Sequence, residues 1–65
     1  MKLNINKIKI AMARKKLTVK ELAEAYGVSR ARMNAILGQR TVTPAVAGRL
    51  ADALSADVTE ILKDE

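Results

Sequence analysis

The strongest constraint in this sequence is a glycine set between two short runs of helical periodicity. Thr18 opens the first run, and Glu21 completes a capping box with it. In that arrangement the hydroxyl accepts from the third backbone N–H while the carboxylate reaches back to the cap. Leu22, Ala23 and Tyr26 follow at helical spacing, so one face turns inward. Gly27 stands where this helix must stop in a left-handed residue, a conformation glycine adopts without steric cost. Val28 and Ser29 then supply an apolar residue and an N-cap for a second helix, whose buried face continues through Met33 and Ile36. Arg30, Ala31, Arg32, Asn34 and Ala35 are left to face outward. The spacing predicts a helix-turn-helix over about residues 18–37, with a second helix at about 30–37 that leads with a basic edge.

Length and composition narrow what can surround this unit. Sixty-five residues make a single domain, 1–65, close to the lower size limit for folding without a metal or disulfide. The chain has neither Cys nor His, so both of those staples and a zinc site are excluded in practice. Hydrophobic residues at 49% are ample for a folded core. No apolar run approaches a membrane span and no signal-peptide pattern is present, so a cytoplasmic protein with no membrane association is expected. Charge is distributed unevenly. Residues 1–49 hold eleven Lys/Arg against two acids, a balance of +9, whereas residues 50–65 hold one Lys against five acids, a balance of −4. That polarity suits a module presenting a basic surface to phosphate and an acidic rear. A single aromatic residue, Tyr26, argues against stacking-based binding of single strands.

The flanking segments complete an all-α architecture. Residues 1–17 predict a first helix after a short frayed or extended start, with Asn4 and Asn6 both fitting as its cap. Ile5, Ile8 and Met12 share a face, and Ile10 lies off that stripe. Leu3 and Ile5 alternate with Asn, which also fits a short strand over residues 2–6. Gly38 ends the third helix, and Thr43-Pro44 is a strong start signal for a fourth at about 44–54, burying Val46, Ala47, Leu50, Ala51 and Leu54. Gly48 within it costs about 1 kcal/mol relative to Ala, which a close helix approach would explain. Asp57 and Glu60 form a second capping-box pair, predicting a fifth helix with Val58, Ile61 and Leu62. The expectation is five short helices in one compact unit.

The outward residues of the second central helix suit duplex DNA. Arg30 is the first helical residue, and its planar fork matches guanine O6 and N7 in the major groove. Asn34, one turn on, matches adenine in the same bidentate way. Ala31 and Ala35 are small enough for close approach to a thymine methyl, and Arg32 reaches either a base or a phosphate. Backbone contacts are expected on both sides. Thr18, the Val19 and Lys20 N–H groups and the Lys20 ammonium lie at one helix start; Gln39, Arg40, Thr41 and Thr43 precede another.

The pattern Leu17-Thr-Val-Lys-Glu-Leu-Ala…Gly27-Val-Ser…Met33…Ile36, then Thr43-Pro44…Leu50-Ala-Asp-Ala-Leu54…Asp57…Ile61-Leu62, resembles the Cro/C1-type (XRE) family of phage and bacterial repressors. The resemblance runs from about Ile5 to Leu62. It implies a compact five-helix, lambda-repressor-like fold that binds operator DNA, usually as a two-fold dimer on a palindromic site. The family's base-contacting positions fall on Ser29, Arg30, Ala31, Asn34 and Ala35, and its phosphate contacts near Thr18, Val19, Arg40, Thr41 and Thr43. Two departures stand out. Many relatives place Arg at the position of Met12 and an acid at that of Leu37, where they form an ion pair; here an apolar contact is expected, without the desolvation cost of a partly buried pair. Gly38 also arrives one residue earlier than the usual loop glycine, so the loop carrying Arg40 is expected to be reshaped.

These features predict a bacterial or phage-encoded transcriptional regulator of repressor or Cro-like type whose partner is a double-stranded operator. Because one such domain covers only a half-site, a homodimer is expected at least on DNA, with Ile10, Val58, Ile61 and Leu62 as apolar candidates for its surface, Ile61 and Leu62 fitting the core at least as well. The alternative is an antitoxin or adaptor of the same fold whose main partner is another protein, docked on the acidic segment Asp52 through Glu65. No enzyme is expected, since the scattered carboxylates form no nucleophile–base constellation. No cofactor, metal or small-molecule ligand is implied.

Overall fold

Four helices form, and each begins on a side-chain cap. The computed structural model describes residues 1–63. Helix α1 spans Ile5–Lys15, α2 Val19–Tyr26, α3 Arg30–Leu37 and α4 Pro44–Ala53. Asn4 is the cap of α1, its side chain accepting from the Lys7 N–H at 3.2 Å. Thr18 and Glu21 form the full capping box of α2, Ser29 caps α3 through the Arg32 N–H at 3.1 Å, and Thr43 caps α4 ahead of Pro44. Each cap satisfies an N–H that would otherwise lack a partner in the first helical turn.

The helix stops differ from one another. Gly27 ends α2 at φ 97°, the left-handed region, and its N–H returns to the Ala23 carbonyl. Gly38 ends α3 at φ −79°, in right-handed geometry, so this stop does not depend on glycine's freedom. Lys16 and Ser55 take left-handed conformations at φ 54° and 52° without being glycine.

Helix α2 packs on α3 and α4, and α4 packs on the segment that follows it. Between them lies one continuous core that includes Ile8, Leu22, Met33, Leu50, Leu54 and Ile61, each at most 1% exposed. Met12 and Leu37 are both half-buried and packed against this core. Gly48 has no heavy atom within 4 Å of where a Cβ would sit, so the close helix approach expected there is absent.

The predicted fifth helix is a single 3₁₀ turn, Val58–Glu60, and the architecture is four helices plus that turn. Its start signal operates: Asp57 Oδ1 accepts from the Thr59 N–H at 2.9 Å, and Glu60 Oε2 accepts from the Asp57 N–H at 2.9 Å. What stops it is competition for the backbone. The Ile61 carbonyl accepts from the Asn4 N–H at 2.8 Å, and the Lys63 N–H donates to the Lys2 carbonyl at 3.0 Å. The chain beyond Glu60 is thereby drawn alongside residues 2–4 and leaves the helical path.

Residues 1–4 are extended and pair on both edges. On the side away from Ile61, the Leu3 N–H donates to the Arg40 carbonyl at 3.2 Å and the Val42 N–H to the Met1 carbonyl at 2.8 Å. The resulting antiparallel bridges, Lys2 with Thr41 and Leu3 with Leu62, make a three-segment ribbon with the start of the chain in the middle. The short strand that the alternation of Leu3 and Ile5 with Asn suggested over residues 2–6 does not form: Lys2 and Leu3 make isolated bridges, and Ile5 opens α1.

Candidate nucleic-acid interface

The face around α3 is assembled by the periodicity of that helix. Met33 and Ile36 are 0% and 4% exposed, and they hold α3 against α2. The residues around them, Arg30, Ala31, Arg32, Asn34 and Ala35, are all exposed, as is the cap Ser29. All six expected base-contacting residues therefore share the free side of one helix or its cap. Ser29 spends a lone pair of its hydroxyl on the Arg32 N–H and retains its proton for donation.

The two expected phosphate-contacting groups differ in how free they are. At the start of α2 the Thr18 N–H and hydroxyl both donate to Glu21 Oε1, at 3.0 and 3.1 Å. Thr18 is thus fully engaged as a cap, and the donors left at this end are the Val19 and Lys20 N–H groups and the exposed Lys20 ammonium. In the loop before α4, Gln39, Arg40, Thr41 and Thr43 are exposed, while Val42 is 6% exposed and anchors the loop in the core. The bonds from Leu3 and Val42 fix this loop's backbone to residues 1–3. The loop is therefore held in place, and its polar side chains project from a pinned backbone.

Residues 20–43 contain acids only at Glu21 and Glu24, both on α2, whereas Arg30, Arg32 and Arg40 lie on α3 and its following loop. A surface of this kind attracts a polyanion and holds it through phosphate contacts. Among the described residues there is no group of three or more carboxylates placed to hold a metal ion, and no helix is long and apolar enough to cross a membrane.

The family model for the Cro/C1-type HTH DNA-binding domain matches residues 7–65. The chain belongs to the Cro/C1-type helix-turn-helix family. No curated protein and no solved structure matches it significantly. Membership in this DNA-binding family makes double-stranded DNA the partner of the domain.

The dimer candidates separate by exposure. Ile61 is 0% exposed, so of its two readings, dimer contact and core, the core one holds: the turn of chain after Glu60 points it inward, into the same apolar cluster as Ile8 and Leu50. Val58 and Leu62 are half-buried, and Ile10 is 53% exposed.

Two features of this Cro/C1-type domain escaped the sequence. Arg49 on α4 lies over the ring of Tyr26, 4.5 Å from its centroid, and so braces the end of α2 just before the turn into α3. The ribbon of residues 1–4 pins the α3–α4 loop. The only signal for the ribbon was the apolar alternation at Leu3 and Ile5; nothing local pairs Arg49 with Tyr26.

Proposed function

We propose that this domain is a sequence-specific transcriptional regulator of repressor or Cro-like type, with α3 in the major groove of an operator half-site. The observation that carries the reading is the exposed row Arg30, Ala31, Asn34 and Ala35 on a helix whose opposite side is sealed by Met33 and Ile36. Such a helix offers bidentate partners to base edges, two donors from Arg30 and a donor with an acceptor from Asn34, and small residues for close approach. Lys20, Gln39, Arg40, Thr41 and Thr43 flank it and fix its register on the phosphates. Two domains related by a two-fold axis cover a palindromic site, and Ile10, with Val58 and Leu62, is the apolar surface offered for that contact. Regulation acts by occupancy inside the cell, through exclusion of polymerase or of a competing regulator.

The test is selection of preferred duplexes from a random pool by the wild type and by Arg30→Ala. The expected result is a defined motif for the wild type, and loss of preference at one base pair for the variant with salt-sensitive binding retained. An identical motif for both proteins removes Arg30 from base reading. Failure of the wild type to select any motif removes sequence specificity.

A further inference from the structure

We infer that Lys2 is a further contact to the DNA backbone, delivered beside Thr41 by the ribbon; this rests on the DNA-facing role of the α3–α4 loop. The hydrogen bonds decide the register. Leu3 N–H to Arg40 carbonyl and Val42 N–H to Met1 carbonyl flank the Lys2–Thr41 bridge on both sides, which makes it a non-hydrogen-bonded antiparallel pair. In such a pair the two Cα atoms approach to about 4.5 Å and the side chains leave the ribbon on the same face. Leu3 is 2% exposed, so the alternation along the strand sends its neighbour Lys2 outward with Thr41.

Three further observations give this lysine a ligand-binding character. Its backbone is held from both edges, by the bonds to residues 40 and 42 and by the Lys63 N–H on its own carbonyl at 3.0 Å, so only side-chain freedom remains to be lost on binding. The sequence carries no acid from Met1 to Lys20 or from Ser29 to Ala51. Among the described residues the Lys2 ammonium has no hydrogen-bond or ion-pair partner. With a threonine and a lysine side chain leaving the same face of the ribbon, the fitting group is a phosphodiester oxygen, which accepts from a hydroxyl and from an ammonium. Lys2 thus extends the backbone clamp from the loop onto the start of the chain.

The experiment measures affinity of the full chain for its selected duplex and for an unrelated duplex across a salt series, using the wild type, Lys2→Gln, Lys2→Arg and Lys15→Gln. Lys15 lines a groove with Ser55 and Ala56 at the far end of α1, so its substitution controls for net charge alone. One phosphate contact contributes about 0.9 to the slope of log affinity on log salt, so Lys2→Gln should lose about 3.5-fold less affinity than the wild type between about 50 and 200 mM salt. The reduction should be equal on both duplexes, and Lys2→Arg should keep the wild-type slope. A slope for Lys2→Gln equal to that of Lys15→Gln overturns the contact, and so does a changed base preference. Reduced slopes in both Lys2 variants with a lowered melting temperature also overturn it, since a loosened ribbon then explains the loss. A wild type without salt-dependent duplex affinity overturns the DNA-facing role of the loop, and the Lys2 contact with it.

Discussion

The guanidinium carbon of Arg49 stands 4.5 Å from the centroid of the Tyr26 ring, which ties the fourth helix to the last residue of the second. The same guanidinium lies so near the turn that a Cβ built on Gly27 would come within 3.0 Å of its Nη2. One cation therefore braces both the end of α2 and the corner from which α3 departs.

This contact should be measurable as a coupling. A double-mutant cycle with Arg49→Met and Tyr26→Leu, followed by urea denaturation, should give about 0.5–1 kcal/mol, the range for an exposed cation over a ring. A coupling indistinguishable from zero would mean that the guanidinium merely rests on the ring.

Gly27→Ala should destabilise the domain by about 1–2 kcal/mol, because φ 97° is strained for any residue with a Cβ. Part of the loss should be steric. In an Arg49→Ala background the substitution should therefore cost less, and additive losses would show that Arg49 moves aside freely.

Gly48 invites the opposite experiment. It sits inside α4 with no heavy atom within 4 Å of the position a Cβ would take, so Ala fits without displacement. Gly48→Ala should raise stability by about 0.5–1 kcal/mol, through better helix propensity and a less flexible unfolded chain. A neutral or lower melting temperature would count against that account.

Asp57 should respond to acid. The Thr59 backbone N–H, followed by the Thr59 hydroxyl, holds its carboxyl below the ordinary carboxylate range. With the folded value lower than the unfolded one, its contribution is complete above the unfolded pKa of about 4 and fades as pH falls through the folded value. Carbon-detected titration of the Asp57 carboxyl should give a midpoint below that of an unfolded peptide; an equal midpoint would show that the turn does not favour the charged form.

What the sequence made legible is what is decided within four residues. Thr18 with Glu21, Ser29 before Arg30, and Thr43 before Pro44 each complete a cap over that distance, and all three form. Gly27 was equally readable, since its reason is its own backbone angle. The outward face of α3 followed from the burial of Met33 and Ile36 at helical spacing. The failures share a different cause. Asp57 and Glu60 correctly announced a turn, but whether it continued depended on Asn4 and Lys2 near the opposite end of the chain. Ile61 could be read either as core or as a dimer contact for the same reason, because the segment that buries it is not its sequence neighbour. Arg49 gave no local sign that Tyr26 was its partner.

The ribbon has a consequence for the order in which the molecule matures. Helices α2 and α3 are neighbours in sequence and can pack early, whereas α1 packs on the turn Val58–Glu60 and Leu3 pairs with Leu62, joining segments more than forty residues apart. During synthesis residues 1–4 emerge before residues 61–63, and until then one of their two edges stays empty. The ribbon that steadies Arg40 and Thr41 is thus completed last, and in a nascent or C-terminally shortened chain α3 should form before residues 40–42 are fully held.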